Sequence, residues 1–268
     1  LIAVICPELL GVHYSAMATC IEKTIAEKGG TMLLSFSNFS PKTQRELIEY
    51  YTTFAHTDGI IVIEPTEKIH TSSKIPIVQI SLGEDAGNVH TVNMDIAPGM
   101  RAALRYLKRM GHTKIGFIGE TYTPMEYEVF CTHMKESGLL VSPDFLSINE
   151  HRFYDCGYYG MEELLKKEER PTAVFGAYSH VSLGMLQKLR EAGLHVPEDI
   201  SVLCMDDIEV TPYRDVELAA IRMHLTTLCD EAVSLLYQSF HANDSPIKHT
   251  ITIERDFSPG ASIQNIGK

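Results

Sequence analysis

Between Thr172 and Met205 the chain reads TAVFGAYSHVSLGMLQKLREAGLHVPEDISVLCM. An apolar run at 172–177 gives way to an amphipathic stretch at 181–192, which Gly193 stops, and a second apolar run follows at 200–205. Apolar runs this short read as buried strands, and a glycine just past a periodic stretch is a helix stop signal. Strand, crossover helix and strand make a βαβ unit, which requires parallel pairing and a helix laid on one face of the sheet.

The same alternation continues outward in both directions. Toward the amino end it predicts strands at 1–6, 31–36, 60–63, 76–81, 89–92 and 114–118, with helices at 14–27, 41–54, 97–110, 125–137 and 157–167. Toward the carboxyl end, strands at 218–221 and 250–254 flank a helix at 225–240. The strands outnumber one comfortable sheet, and the two halves repeat one layout. The predicted fold class is therefore α/β, with two Rossmann-like lobes, parallel sheets and a ligand cleft between them. Ligands of such sheets bind beyond the carboxyl ends of the strands.

Composition limits the function. Of 268 residues, 44% are hydrophobic and 22% charged, which fits a globular protein, and no apolar run approaches the ~20 residues of a membrane span. The opening Leu1-Ile2-Ala3-Val4-Ile5 has no basic flank, so it reads as a strand and not as a signal peptide. Six cysteines are scattered without a C-x-x-C pair, which argues against zinc ribbons and fits reduced thiols in the cytoplasm. The net charge of −12 repels phosphate backbones. Any role on DNA would fall to a separate basic module.

Catalytic and cofactor signatures are missing from the sequence. There is no G-x-x-x-x-G-K-[ST], no G-x-S-x-G and no H-E-x-x-H, and the glycines around Gly111, Gly116 and Gly119 are not spaced as a dinucleotide fingerprint. No catalytic residue, metal or cofactor is expected. Asp206-Asp207 directly follows an apolar strand, and Asp95 follows another. Either can reach a ligand at the strand ends, or serve as a loop acid or helix cap.

Several motifs together resemble one family. Gly193-Leu194-His195-Val196-Pro197-Glu198-Asp199-Ile200-Ser201-Val202 followed by Asp206-Asp207 resembles the LacI/GalR transcriptional regulators. So do Gly111-His112-Thr113-Lys114-Ile115-Gly116-Phe117-Ile118, Asp58-Gly59-Ile60-Ile61 and Arg170-Pro171-Thr172-Ala173, all in family order. The resemblance implies a periplasmic-binding-protein-like effector domain that forms a homodimer and senses a sugar or related polar effector. Operator DNA would be bound only through a separate N-terminal helix-turn-helix, which nothing here resembles. Family crossings imply an amino-terminal lobe of 1–113 plus 223–243 and a carboxyl-terminal lobe of 114–222 plus 244–268. They also imply ligand contacts from Tyr14, Asp95, Phe153 and Asp206.

Two departures bear on the ligand. Glu126 stands where the family places an effector-clamping arginine, and Tyr178-Ser179 replaces an Asn-Asp pair. With Glu126, Asp95 and Asp206 acidic, the site is expected to lack its cation and to favour neutral or cationic effectors. The rival readings are a periplasmic sugar receptor of the same fold and a glycoside hydrolase using paired acids.

Overall fold

The computed structural model describes residues 1–82, 87–206, 216–240 and 248–267. It divides into two compact units, Leu1–Asp95 with His224–Ile253, and Ile96–Met223 with Glu254–Lys268.

Unit 1 is built on β1 (Ile2–Cys6), β2 (Met32–Phe36), β3 (Gly59–Ile63), β4 (Ile77–Ser81), β5 (His90–Asp95) and β11 (Thr250–Glu254), ordered β11-β5-β4-β3-β1-β2. The pairs among β1 to β5 are parallel. β1, β3 and β4 are buried along their whole length, and β1 and β3 accordingly read as continuous apolar runs, whereas β4 buries the polar Gln79 and Ser81. Ala3, Ile5, Ile60, Val62 and Ile77 pack on one face together with Tyr51 of α2 (Pro41–Thr53). α1 (Val12–Glu27) and α7 (Leu225–Ser239) pack on each other, and α7 also lies along β3, β4 and β5.

Unit 2 repeats the plan with β6 (Ile115–Glu120), β7 (Leu146–Asn149), β8 (Ala173–Gly176), β9 (Ser201–Cys204), β10 (Ala219–Arg222) and β12 (Asp256–Ser258), ordered β12-β10-β9-β8-β6-β7. All its pairs are parallel except β10 with β12. Alternate residues serve opposite faces. Ile115, Phe117, Phe175 and Leu203 join a cluster with α3 (Ala97–Arg109) and α4 (Pro124–Glu136). Ile118, Val174, Val202 and Cys204 join another with α5 (Phe153–Leu165) and α6 (Ser179–Glu191).

The division of the chain differs from the one expected. Met100, Ala103, Leu104 and Leu107 of α3 are fully buried against Ile115, Phe117 and Ile221, which places this helix in unit 2 and not in the amino-terminal lobe. β11 pairs with β5, so it belongs to unit 1 and not to the carboxyl-terminal lobe. β7 and β12 are strands that the apolar pattern did not reveal. β7 is only partly buried and β12 lies at a sheet edge, so neither carries a long apolar signature.

α5 and α6 cross at glycines. A Cβ on Gly157 would stand 1.8 Å from the carbonyl oxygen of Val181, and one on Gly184 would stand 2.0 Å from that of Tyr154. Backbone meets backbone at this crossing, which fixes the first turn of α5 against that of α6.

β11 is pinned to β5 through His90. The His249 N–H donates to His90 Nδ1 at 3.2 Å, and Thr91 N–H donates to the His249 carbonyl at 2.9 Å. Ser239 Oγ donates its proton to the Leu235 carbonyl at 2.7 Å, so at its 3.3 Å contact it accepts from His90 Nε2. This network fixes a neutral, Nε2-protonated imidazole, because a proton on Nδ1 would face the His249 N–H. Burial, then Lys248 and His249, lower the His90 pKa to about 4. The unfolded chain therefore binds a proton that the native state refuses, and stability must fall as pH drops through 6.5 toward 4. A melting-temperature series from pH 7 to 4.5 should show a shallower decline for His90→Gln than for the wild type. Parallel declines would refute the assignment.

Candidate functional site

Each sheet reverses its strand order once, between β1 and β3 in unit 1 and between β6 and β8 in unit 2, since the edge strands β2 and β7 lie on the far side of β1 and β6. Loops leave such a switch point in opposite directions and open a crevice at the carboxyl ends of the strands. Polar and aromatic side chains gather at both places.

In unit 1 the carboxylate is Glu64, one residue beyond β3. Tyr14 donates its hydroxyl to Glu64 Oε2 at 2.8 Å, and His13 Nε2 meets Oε1 at 2.7 Å. Both partners stand in the first turn of α1. The Tyr14 ring also meets Phe39 edge-on, with centroids 6.1 Å apart. Glu64, Asn38 and Phe39 hold φ values of 43°, 50° and 55°. Left-handed backbone at non-glycine residues is costly and tends to collect at functional sites. Asp95 ends β5 as a strand residue, not a loop residue, and β4 and β3 separate its strand from β1.

In unit 2 the central acid is Glu120, the last residue of β6, with its side chain 1% exposed. Its Oε1 accepts the Phe153 N–H at 3.0 Å, and its Oε2 forms an ion pair with Arg152 Nε. The Arg152 guanidinium lies 4.6 Å from the ring centroids of both Tyr122 and Phe153. The Phe153 N–H also reaches the Tyr178 hydroxyl at 3.2 Å, and its ring meets those of Tyr178 and His180 at 6.3 and 5.8 Å. Phe153 too has a positive φ, 55°.

Asp206 follows β9 and is buried. Its Oδ1 accepts the Ser179 N–H at 2.9 Å and the Ser179 hydroxyl, and Cys204 Sγ lies 3.4 Å away. Ser179 opens α6, whose N-cap Tyr178 offers no side-chain cap of its own. Asp206 thus caps that helix from a neighbouring strand, as Glu120 caps α5. Burial holds the His180 imidazole below its usual range, with the Asp206 carboxylate opposing that shift.

Unit 2 therefore brings Phe153 and Tyr178 together, and Ser179 with Asp206. Glu126 sits in the first turn of α4, where an acid suits the helix terminus. Tyr14 and Asp95 belong to unit 1, and Asp207 lies outside the described residues. Position 126 carries an acid, and a guanidinium, that of Arg152, stands elsewhere in unit 2 beside Glu120. Glu64 and Glu120 escaped the sequence reading, although Glu64 directly follows an apolar strand and Glu120 ends one.

Among the described residues no helix is long and apolar enough to cross a membrane, and no group of three or more His, Cys, Asp or Glu side chains is arranged to hold a metal ion. Cys6, Cys156, Cys204 and Cys229 are free and buried. Burial pushes the Cys6 and Cys156 thiols up to about 12, away from reactive thiolate.

Two mainly parallel sheets with side chains gathered at matching switch points define an α/β protein of the periplasmic-binding type. Residues 104–263 match the family model described as "Periplasmic binding protein-like domain". The chain belongs to this family, as an effector-binding domain of the LacI/GalR type that its motifs resemble. It is 26% identical over 252 residues to the HTH-type transcriptional repressor PurR of Haemophilus influenzae (strain PittEE), covering 90% of this chain and 74% of that one. It is likewise 26% identical over 244 residues to the HTH-type transcriptional repressor CytR of Escherichia coli (strain K12), covering 88% and 71%. These relatives are repressors and not enzymes. The fold matches a solved LacI family transcriptional regulator from Enterococcus faecium with bound ribose, at a TM-score of 0.81, 20% identity and 99% coverage of both chains.

Proposed function

We propose that this chain is the ligand-sensing and dimerising part of a bacterial transcriptional regulator. A small polar effector, sugar-like or nucleoside-like, takes its contacts from switch-point side chains such as the aromatic and acidic cluster of unit 2. Occupancy then alters how a separate helix-turn-helix module grips operator DNA in the cytoplasm. The observation that carries the reading is the pairing of aromatic rings with internally partnered acids at both switch points, half-buried at Glu64 and buried at Glu120. Rings stack on the faces of sugars and bases, while carboxylates and hydroxyls order their polar edges. The repressor relatives favour regulation over transport, and the strongly acidic surface leaves DNA contact to another module.

A thermal-shift screen against sugars, polyols, nucleosides and amines tests this. A ligand at 100-fold its dissociation constant should add about 2.7 kcal/mol of stability. Light scattering should give a particle of twice the 30.0 kDa chain. A folded protein that is silent to every class would overturn the sensing reading, and hydrolysis of a glycoside would replace it with an enzyme.

A further inference from the structure

On the basis of that sensing reading, we propose that Glu120 sets the charge selectivity of the unit 2 cluster by reserving the Arg152 guanidinium for an internal ion pair. The site is thereby turned from anions toward neutral ligands. Arg152 brings a guanidinium to the cluster formed by Glu120, Tyr122, Phe153, Tyr178 and His180. Its side chain is 30% exposed, whereas that of Glu120 is 1% exposed. A ligand anion that drew the guanidinium away would break a buried ion pair and take the cation from a carboxylate that is 1% exposed, which is strongly unfavourable. A hydroxyl or carbonyl oxygen makes no such demand, because it can share the guanidinium without displacing Glu120. The rings of Tyr122 and Phe153 and the backbone cap at Phe153 hold the pair in place.

Glu120→Gln is the discriminating variant, because an amide oxygen still accepts the Phe153 N–H while the negative charge is lost. Calorimetric titration with inorganic phosphate, at ionic strength held constant with chloride, should show E120Q binding at least about tenfold tighter than wild type, a 1.4 kcal/mol difference. The gain should vanish in the E120Q/R152Q double variant. Equal phosphate affinity in wild type and E120Q, or a gain that survives loss of Arg152, overturns the proposal. If E120Q does not fold, R152Q reads the same pair from its other side. With the guanidinium removed from beside the acid, that variant should bind spermidine at least about tenfold tighter than wild type, and no gain overturns the proposal. The phosphate experiment needs no natural effector. A failed switch beside a productive neutral-ligand screen would therefore refute the selectivity role alone, and a silent screen would refute the sensing role alone.

Discussion

Gly184→Ala should lower the unfolding free energy by about 1–3 kcal/mol, the usual range for forcing a methyl group into filled space. The upper end is expected, because the obstacle is a backbone carbonyl, that of Tyr154 at 2.0 Å, and not the tip of a mobile side chain. Gly157→Ala meets the Val181 carbonyl at 1.8 Å and should behave alike. Relief requires α5 to move away from α6, which separates Phe153 from Tyr178. Urea denaturation reads the first effect, and loss of affinity for any hit from the ligand screen reads the second. A variant within about 0.5 kcal/mol of wild type, the ordinary scatter of surface substitutions, would show that the crossing is not tight.

Asp206→Ala should be about as damaging, for an electrostatic reason. It strips an acceptor from the Ser179 N–H and hydroxyl at the start of α6, where both are buried. An orphaned buried donor costs about 1–3 kcal/mol. Asp206→Asn keeps an acceptor oxygen and should recover most of that stability, which urea denaturation will show. Should Asn restore stability while ligand affinity stays low, the charge itself meets the effector. If affinity returns as well, capping α6 accounts for the residue.

The sheets were legible in the sequence for a definite reason. Strands such as Ile60–Ile63 and Ala173–Gly176 are buried on both faces, so every residue is apolar and the signal is local. Helix starts were harder to place. α5 begins at Phe153, ahead of the expected residue 157, because its first N–H is taken by Glu120, more than thirty residues earlier in the chain. A cap supplied by another strand leaves no trace beside the helix it stabilises. The site was half legible for the same reason. An acid after an apolar strand is visible in Asp206, Glu64 and Glu120, but the partners His13 and Arg152 meet those acids only after the chain has folded. Nor does Glu126 announce that a guanidinium, that of Arg152, arrives in the same unit from just before a different helix.

Unit 1 is interrupted in the chain: it leaves at Asp95 and resumes at His224. On the ribosome, β1 to β5 emerge long before α7, the helix that covers β3, β4 and β5. All of Ile96–Met223 must be translated in between, on the order of ten seconds at ~5–20 residues per second. Through that interval one face of the first sheet lacks its cover, while unit 2 acquires most of its strands. The second unit is interrupted in its turn, since Glu254–Lys268 with β12 is made last of all. Meanwhile the first must wait, sticky and incomplete, for the chain to come back to it.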